Sequence, residues 1–369
     1  ALVEVPDLAD LLFRIPRRLH DAQWRLGIRA MAADLSARTV TLADGQVIDW
    51  SGLVIATGLT PRRLNLPGPT GGRHVIRTFD DARRLRAELV PGARVVVVGA
   101  GFIGCETAAT ARRIGAQVDV VAPEAVPMER PLGTALGAAL QRRHEAHGVR
   151  FHLGRRPVRL VGDDRITAVE LDDGTLLPAD VLVEAVGCTP SVDWLEGNGL
   201  DLSDGVRTDN LLRVVDGTGV RPDVVAAGDV TRFPNPRFDD EPRRVEHWTM
   251  VTDTAKQAGH SLAAYLTGAP SPDVPFAPLP SFWSDQYDVR LQSFGAPALG
   301  VDDIRVLEGD LDREVVVGYH RDGELVGVVL VGMAGRYLHY RGVLADAGRR
   351  SGLNRTANPV PDRPRHELV

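Results

Sequence analysis

A chain of 369 residues is too long for one ordinary core, and two or three domains are expected. Its 44% hydrophobic and 25% charged residues are an ordinary globular balance, and a formal net charge of −6 argues against general nucleic-acid binding. No apolar run approaches the ~18–20 residues of a membrane span and no secretory signal is seen at Ala1, so a cytoplasmic location is expected. The first pattern along the chain is "ARTVTLADGQVIDWSGLVIATGLTP" (37–61). It reads as a strand, an Asp44-Gly45 turn, a second strand, and a buried strand closing at Gly58. "FDDARRLRAELV" (Phe79–Val90) then reads as a helix.

"VVVVGAGFIGCETAAT" (Val95–Thr110) has the order of a dinucleotide fingerprint: strand, glycine turn, helix. Gly99 and Gly101 let the backbone approach a pyrophosphate, and Gly104 seats the helix against the strand, with Phe102 and Ile103 between. The helix N-terminus offers its N–H groups and positive dipole to the phosphates. Cys105 stands just inside that helix. Packing on the sheet is the favoured reading over an activated thiol, and with Cys188 it cannot form a CxxC redox pair. The next strand, "QVDVVAP" (117–123), should end in a carboxylate for the ribose hydroxyls. That place falls on Ala122. Asp119 lies within the strand, Glu124 can reach the ribose, and Arg130 can meet a 2′-phosphate, so NADH and NADPH both stay open.

"RITAVELDDGTLLPADVLVEAVGCTP" (165–190) repeats the order of 37–61, with its turn at Asp173-Gly174 and its end at Gly187. Counting back from Gly58 by the Gly99–Gly187 spacing puts a first fingerprint upstream of Ala1. Residues 1–90 therefore read as the back part of one dinucleotide domain and 91–207 as a complete second copy. In 208–275, "PDVVAAGDV" is a buried strand ending at Gly228-Asp229, an acid placed to accept from a sugar hydroxyl, and a long helix covers Thr249–Gly268. A proline-rich joint leads into a β-rich unit, 276–348, with a hairpin at Asp322-Gly323. The tail 349–369 is expected to be loose.

Taken together, "VVVVGAGFIGCETA", "VIATGLTPR", "VLVEAVGCTP", "RPDVVAAGDV", "RRVEHW" and "FWSDQYDVRLQSFG" resemble the FAD-dependent pyridine nucleotide-disulphide oxidoreductases. The nearest branch is that of the ferredoxin reductases serving oxygenases, and the resemblance covers essentially residues 10–345. "EHW" and "FWSDQYD" are its more specific parts. The resemblance implies an α/β fold with two Rossmann-like domains, an FAD domain incomplete at its N-terminus and an inserted NAD(P) domain, plus a C-terminal α+β interface domain. It implies hydride transfer from NAD(P)H to FAD, then single electrons to an iron–sulfur ferredoxin. Glu106 would stand near the nicotinamide and Gly187 would line its pocket. Thr57 and Gly58 would border the FAD, Arg77 its pyrophosphate, Gly228 and Asp229 its ribityl chain, and Trp248 its isoalloxazine. Trp283 would lie at the flavin edge near the docking partner, so Glu106 and Trp283 are the residues expected at the reaction itself. His247 is expected to pack rather than to move protons.

The family's first glycine fingerprint, its adenosine-ribose acid and a proline-rich segment with a flavin-proximal lysine have no counterpart in this sequence. It is therefore expected to hold FAD poorly as it stands. No metal site is expected, so iron–sulfur centres are assigned to the partner. A homodimer is left open. An NAD(P)H-binding sensor or scaffold without flavin is the alternative reading.

Overall fold

The structure is a computed structural model that describes residues 22–271 and 274–355. The start of the expected flavin unit and the tail beyond Arg355 lie outside these residues. The five helices of the described chain are α1 (Phe79–Glu88), α2 (Phe102–Ile114), α3 (Glu129–Ala146), α4 (Trp248–Thr267) and α5 (Tyr337–Arg355). The boundary placed at Arg349 therefore falls inside a helix. Tyr340 and Leu344, four apart on one face of α5, bury against Phe294, Val316, Val328 and Leu330.

The two copies of the repeated pattern adopt one plan. Thr39–Leu42 and Val47–Asp49 form a hairpin, extended to three antiparallel strands by Ala30–Asp34. Ala168–Leu171 and Leu176–Pro178 do the same with Pro157–Val161. The closing strand of each copy then enters a parallel ladder. Leu53–Ile55 pairs with Gly219–Ala226, and Val181–Glu184 with Arg94–Val98. Beyond each closing glycine the chains meet: Leu59–Pro61 and Cys188–Pro190 pair antiparallel, Thr60 opposite Thr189.

The complete copy centres on a five-stranded parallel sheet in the order Arg73–His74, Val181–Glu184, Arg94–Val98, Gln117–Ala122, Val149–Leu153, so Arg73–His74, together with Leu85 of α1 and Leu89, packs with this unit although the sequence pattern puts the boundary after residue 90. Its three central strands are buried on both faces, which is why Val95–Val98 reads as an unbroken apolar run. One face packs on Ala108 and Ala111 of α2, and the other on Ile166, Val169 and Leu177 of the antiparallel layer. The first unit packs Ile55, Val224 and Ala226 against Leu195 and Val206, while α4 covers the opposite face with Met250, Ala258 and Leu262.

The C-terminal sheet is antiparallel throughout, in the order Ser281–Gln286, Val289–Gly295, Glu324–Val331, Val315–Arg321, Ile304–Gly309. Asp322 (φ 53°) and Gly323 (φ 79°) make the tight turn that the sequence predicts. The two-residue period decides its packing. Val316, Val328 and Leu330 face α5, while Val315, Val317, Tyr319, Val329 and Val331 face Leu132, Leu136 and Leu140 of α3. Tyr319 is fully buried there and donates its hydroxyl to Leu132 O at 2.9 Å. That second face fixes the C-terminal sheet to the nucleotide unit.

Candidate functional site

Two cavities lie on either side of the start of α2. The first, about 430 Å³, is lined by Val98 to Gly101, Glu124, Arg130 and the Ala185–Gly187 end of the neighbouring strand. Gly99, Gly101, Glu124 and Gly187 thus converge as expected, at the carboxyl ends of parallel strands. A Cβ at Gly104 would lie 2.0 Å from Gly99 O, so its glycine is a matter of close packing. A Cβ at Gly101 would meet nothing within 4 Å and would project into open space. Ile103 is exposed and lines neither cavity.

Asp119 is no ribose acid. It is buried in its strand, bridged by Arg150 at 2.7 Å and by His152 at 2.9 Å, and these hydrogen bonds overcome burial to hold its pKa below the usual range. Glu124 sits at the cavity with Arg130 3.5 Å away. Arg62 and Met128 line the same cavity, and the sequence reading missed both. Arg62 follows the first Gly-x-Thr-Pro end and donates its N–H to Gly187 O at 2.9 Å. Met128 carries a left-handed backbone (φ 54°) just before α3, which no pattern in the sequence announces.

The second cavity, about 300 Å³, gathers Phe102 and Glu106 of α2, Glu246 to Trp248 before and at the start of α4, and Phe282 and Trp283 of the C-terminal sheet. Three remote parts of the chain therefore bring Glu106, Trp248 and Trp283 together. Phe102 and Phe282 meet edge to face with centroids 4.8 Å apart. Trp248 is 67% exposed and Trp283 46%, so neither ring is a core residue. Burial raises the Glu106 pKa, and the Ser284 hydroxyl, donating to Oε1 at 2.6 Å, opposes the rise. His247 is held largely out of water against Phe282, which depresses it to about 4, so it is neutral at pH 7 as a packed histidine. Burial pushes the Cys105 thiol up to about 12, so the helix N-terminus does not activate it.

The residues assigned to flavin follow two parallel neighbours, Leu53–Ile55 and Gly219–Ala226. Thr57 and Gly58 come after one, and Gly228 and Asp229 after the other. Arg77 spans both, with Nη2 3.2 Å from Asp229 Oδ2 and 3.4 Å from where a Gly58 Cβ would stand. Gly228 (φ 76°) donates its N–H to Thr254 Oγ1 at 2.9 Å, which ties this turn to α4. The Thr57 hydroxyl is already engaged, donating to Ser191 O at 2.7 Å. A guanidinium, a carboxylate and two glycine turns at the carboxyl ends of parallel strands suit a polyhydroxylated dinucleotide such as FAD.

Fold and site together define a class. Residues 7–259 match the pyridine nucleotide-disulphide oxidoreductase family and residues 281–362 the reductase C-terminal family, so the chain belongs to the pyridine nucleotide-disulphide oxidoreductases. The ferredoxin–NAD(+) reductase component of the anthranilate 1,2-dioxygenase system of Burkholderia cepacia is 36% identical over 93% of this chain and 83% of its own. Among solved structures, a ferredoxin reductase from Rhodopseudomonas palustris has a TM-score of 0.80 at 34% identity, covering 91% of this chain and 80% of that one. Putidaredoxin reductase, solved as a covalent complex with putidaredoxin, has a TM-score of 0.78 at 28% identity, covering 87% of this chain and 75% of that one. No helix among the described residues is long and apolar enough to cross a membrane.

Proposed function

We propose that this chain is the flavin-dependent NAD(P)H:ferredoxin reductase of an oxygenase system, with an iron–sulfur ferredoxin as its partner in the cytoplasm. The observation that carries the reading is the second cavity, where a carboxylate from the nucleotide unit faces two exposed tryptophans from the other units. FAD, when bound, takes up a hydride and gives up electrons one at a time.

The chain's own part is positioning and electrostatics. The N–H groups at the start of α2 would receive the pyrophosphate of the nicotinamide cofactor, and Gly101 leaves open space there. Glu106, which lines the second cavity, is the residue assigned to the nicotinamide, whose positive charge its carboxylate would stabilise. Phe102 and Phe282 give the second cavity an apolar wall. Trp283 offers a partly open aromatic surface to a docking protein.

The test is a flavin spectrum followed by NADH- or NADPH-driven reduction of a ferredoxin, read with cytochrome c. Flavin bands and ferredoxin-dependent turnover are expected. Nicotinamide binding without flavin uptake would favour a binding module instead.

A further inference from the structure

Behind Glu106 a line of buried polar side chains runs through the seam between the nucleotide unit and the C-terminal sheet. Ser284 donates to Glu106 Oε1 at 2.6 Å, and Gln286 Nε2 donates to Ser284 Oγ at 3.1 Å. Gln286 Oε1 is 2.8 Å from His144 Nε2, and the Tyr287 hydroxyl is 3.2 Å from His144 Nδ1. Ser284, Gln286 and His144 are each at most 1% exposed. Outside them His147 stacks on Tyr287, with centroids 3.8 Å apart and planes 14° from parallel.

The direction of every bond follows from its inner end. When Glu106 is ionised its carboxylate only accepts, so the Ser284 proton points at Glu106 and the Ser284 oxygen accepts from the Gln286 amide. That leaves the Gln286 carbonyl to accept, so His144 carries its proton on Nε2. Nδ1 is then an acceptor, and Tyr287 must donate to it. Turning the amide would also lose the contact of Gln286 Nε2 with Met128 Sδ at 3.6 Å. Four donors therefore point the same way, and bonds in such a chain polarise one another. The arrangement needs a neutral His144, and burial lowers that histidine to about 4.

Tyr287 ends the line at a two-residue hairpin turn, whose first position takes a positive φ. It holds a left-handed backbone (φ 57°), uncommon for an aromatic residue, at the turn between Ser281–Gln286 and Val289–Gly295. Such conformations persist where surrounding contacts over-determine them. Here the contacts are the His144 bond and the His147 stack.

We propose that Tyr287, His144, Gln286 and Ser284 form a positioning device that orients the Glu106 carboxylate at the edge of the second cavity and offsets part of the cost of burying its charge. What the charge is used for rests on the reading of Glu106 given above; the device itself does not. The other ionisable groups facing Glu106 are few. The Asp285 carboxylate opposes its ionisation and is bridged to Arg290 at 2.7 Å, while the Asp285 backbone hydrogen bond to Glu106 favours it. Glu246 shares the cavity but is paired with Arg244 at 2.7 Å, and His247 is neutral above its depressed pKa.

The experiment is a carbon-13 NMR titration of the full chain labelled at glutamate carboxyls, with the Glu106 signal assigned by its loss in Glu106→Gln. Ser284→Ala should move the Glu106 midpoint up by about one pH unit or more, the loss of one hydrogen bond to a charged acceptor, and Ser284→Thr should restore it. Gln286→Met and Tyr287→Phe, which act only through the chain, should shift it upward by less. Tyr287→Phe keeps the ring stack and removes one oxygen, so it tests the device even if Gln286→Met fails to fold. Unmoved midpoints in both remote variants, with Ser284→Ala shifted, would overturn the proposal. A separate titration compares NAD⁺ with NADH affinity across pH. If that ratio ignores pH while the NMR midpoints behave as expected, the nicotinamide role of Glu106 falls and the device stands.

Discussion

Gly101 has an ordinary backbone (φ −76°) and no neighbour where a Cβ would go, so neither conformation nor packing demands glycine there. What remains is room for a ligand. Gly101→Val should fold normally and weaken nicotinamide cofactor binding at least about tenfold, measured by NADH fluorescence titration. Unchanged affinity would make the turn merely structural. Asp229→Ala removes the carboxylate that faces Arg77 at 3.2 Å and should lower flavin retention by about 1.5–3 kcal/mol, measured as occupancy after dialysis. Both residues were readable beforehand because short motifs with fixed spacing announce them. Ser284, Gln286 and His144 were not. His144 and Gln286 are 142 residues apart in sequence, and no local pattern marks a polar side chain whose partner lies that far away.

At the scale of elements, the repeated hairpins and the Asp322-Gly323 turn were readable because their period and turn chemistry are local. The pairing of the two Gly-x-Thr-Pro ends was not, since each end looks like an isolated loop. Helix α5 was missed because its burial depends on a sheet formed elsewhere. The hairpin of Thr231–Asn235 and Asp239–Arg244 makes a further junction. Asp239 is paired there with Arg243 on its own strand and with Arg321 of the C-terminal sheet at 2.8 Å. Burial would raise its pKa, but the two guanidinium groups overcome this and hold it at about 2. A carboxylate with a depressed folded pKa stabilises above its unfolded pKa near 4, and that contribution is lost as pH falls toward 2. Asp239→Asn should therefore cost about 1–2 kcal/mol in denaturant unfolding at pH 7, after allowance for its partial exposure. The difference should largely vanish near pH 2.

On the scale of the whole molecule, two histidines are kept neutral by their surroundings. His144 is buried between the nucleotide unit and the C-terminal sheet, and His247, half-buried at the start of α4, packs against Phe282; desolvation depresses each to about 4. The unfolded chain takes up protons near pH 6.5, where the folded chain does not. Stability should thus fall as pH drops from about 6.5 to 4, by as much as roughly 3 kcal/mol for the fully buried His144. Chemical unfolding at several pH values would read this. His144→Gln, which cannot take up a proton, should lose less over the same range.

The meeting of Leu59–Pro61 with Cys188–Pro190 has a consequence for the order of folding. Everything between 62 and 187 leaves and returns at one point, with Arg62 N 2.9 Å from Gly187 O. The pairing of Leu53–Ile55 with Gly219–Ala226 would otherwise have to close a very long loop. Once the intervening unit has folded, its two ends are already side by side, and the loop is short in effect. The inserted unit is thus expected to fold before the surrounding unit is joined, and Gly104→Val should slow the assembly of strands that never touch it, as refolding kinetics would read.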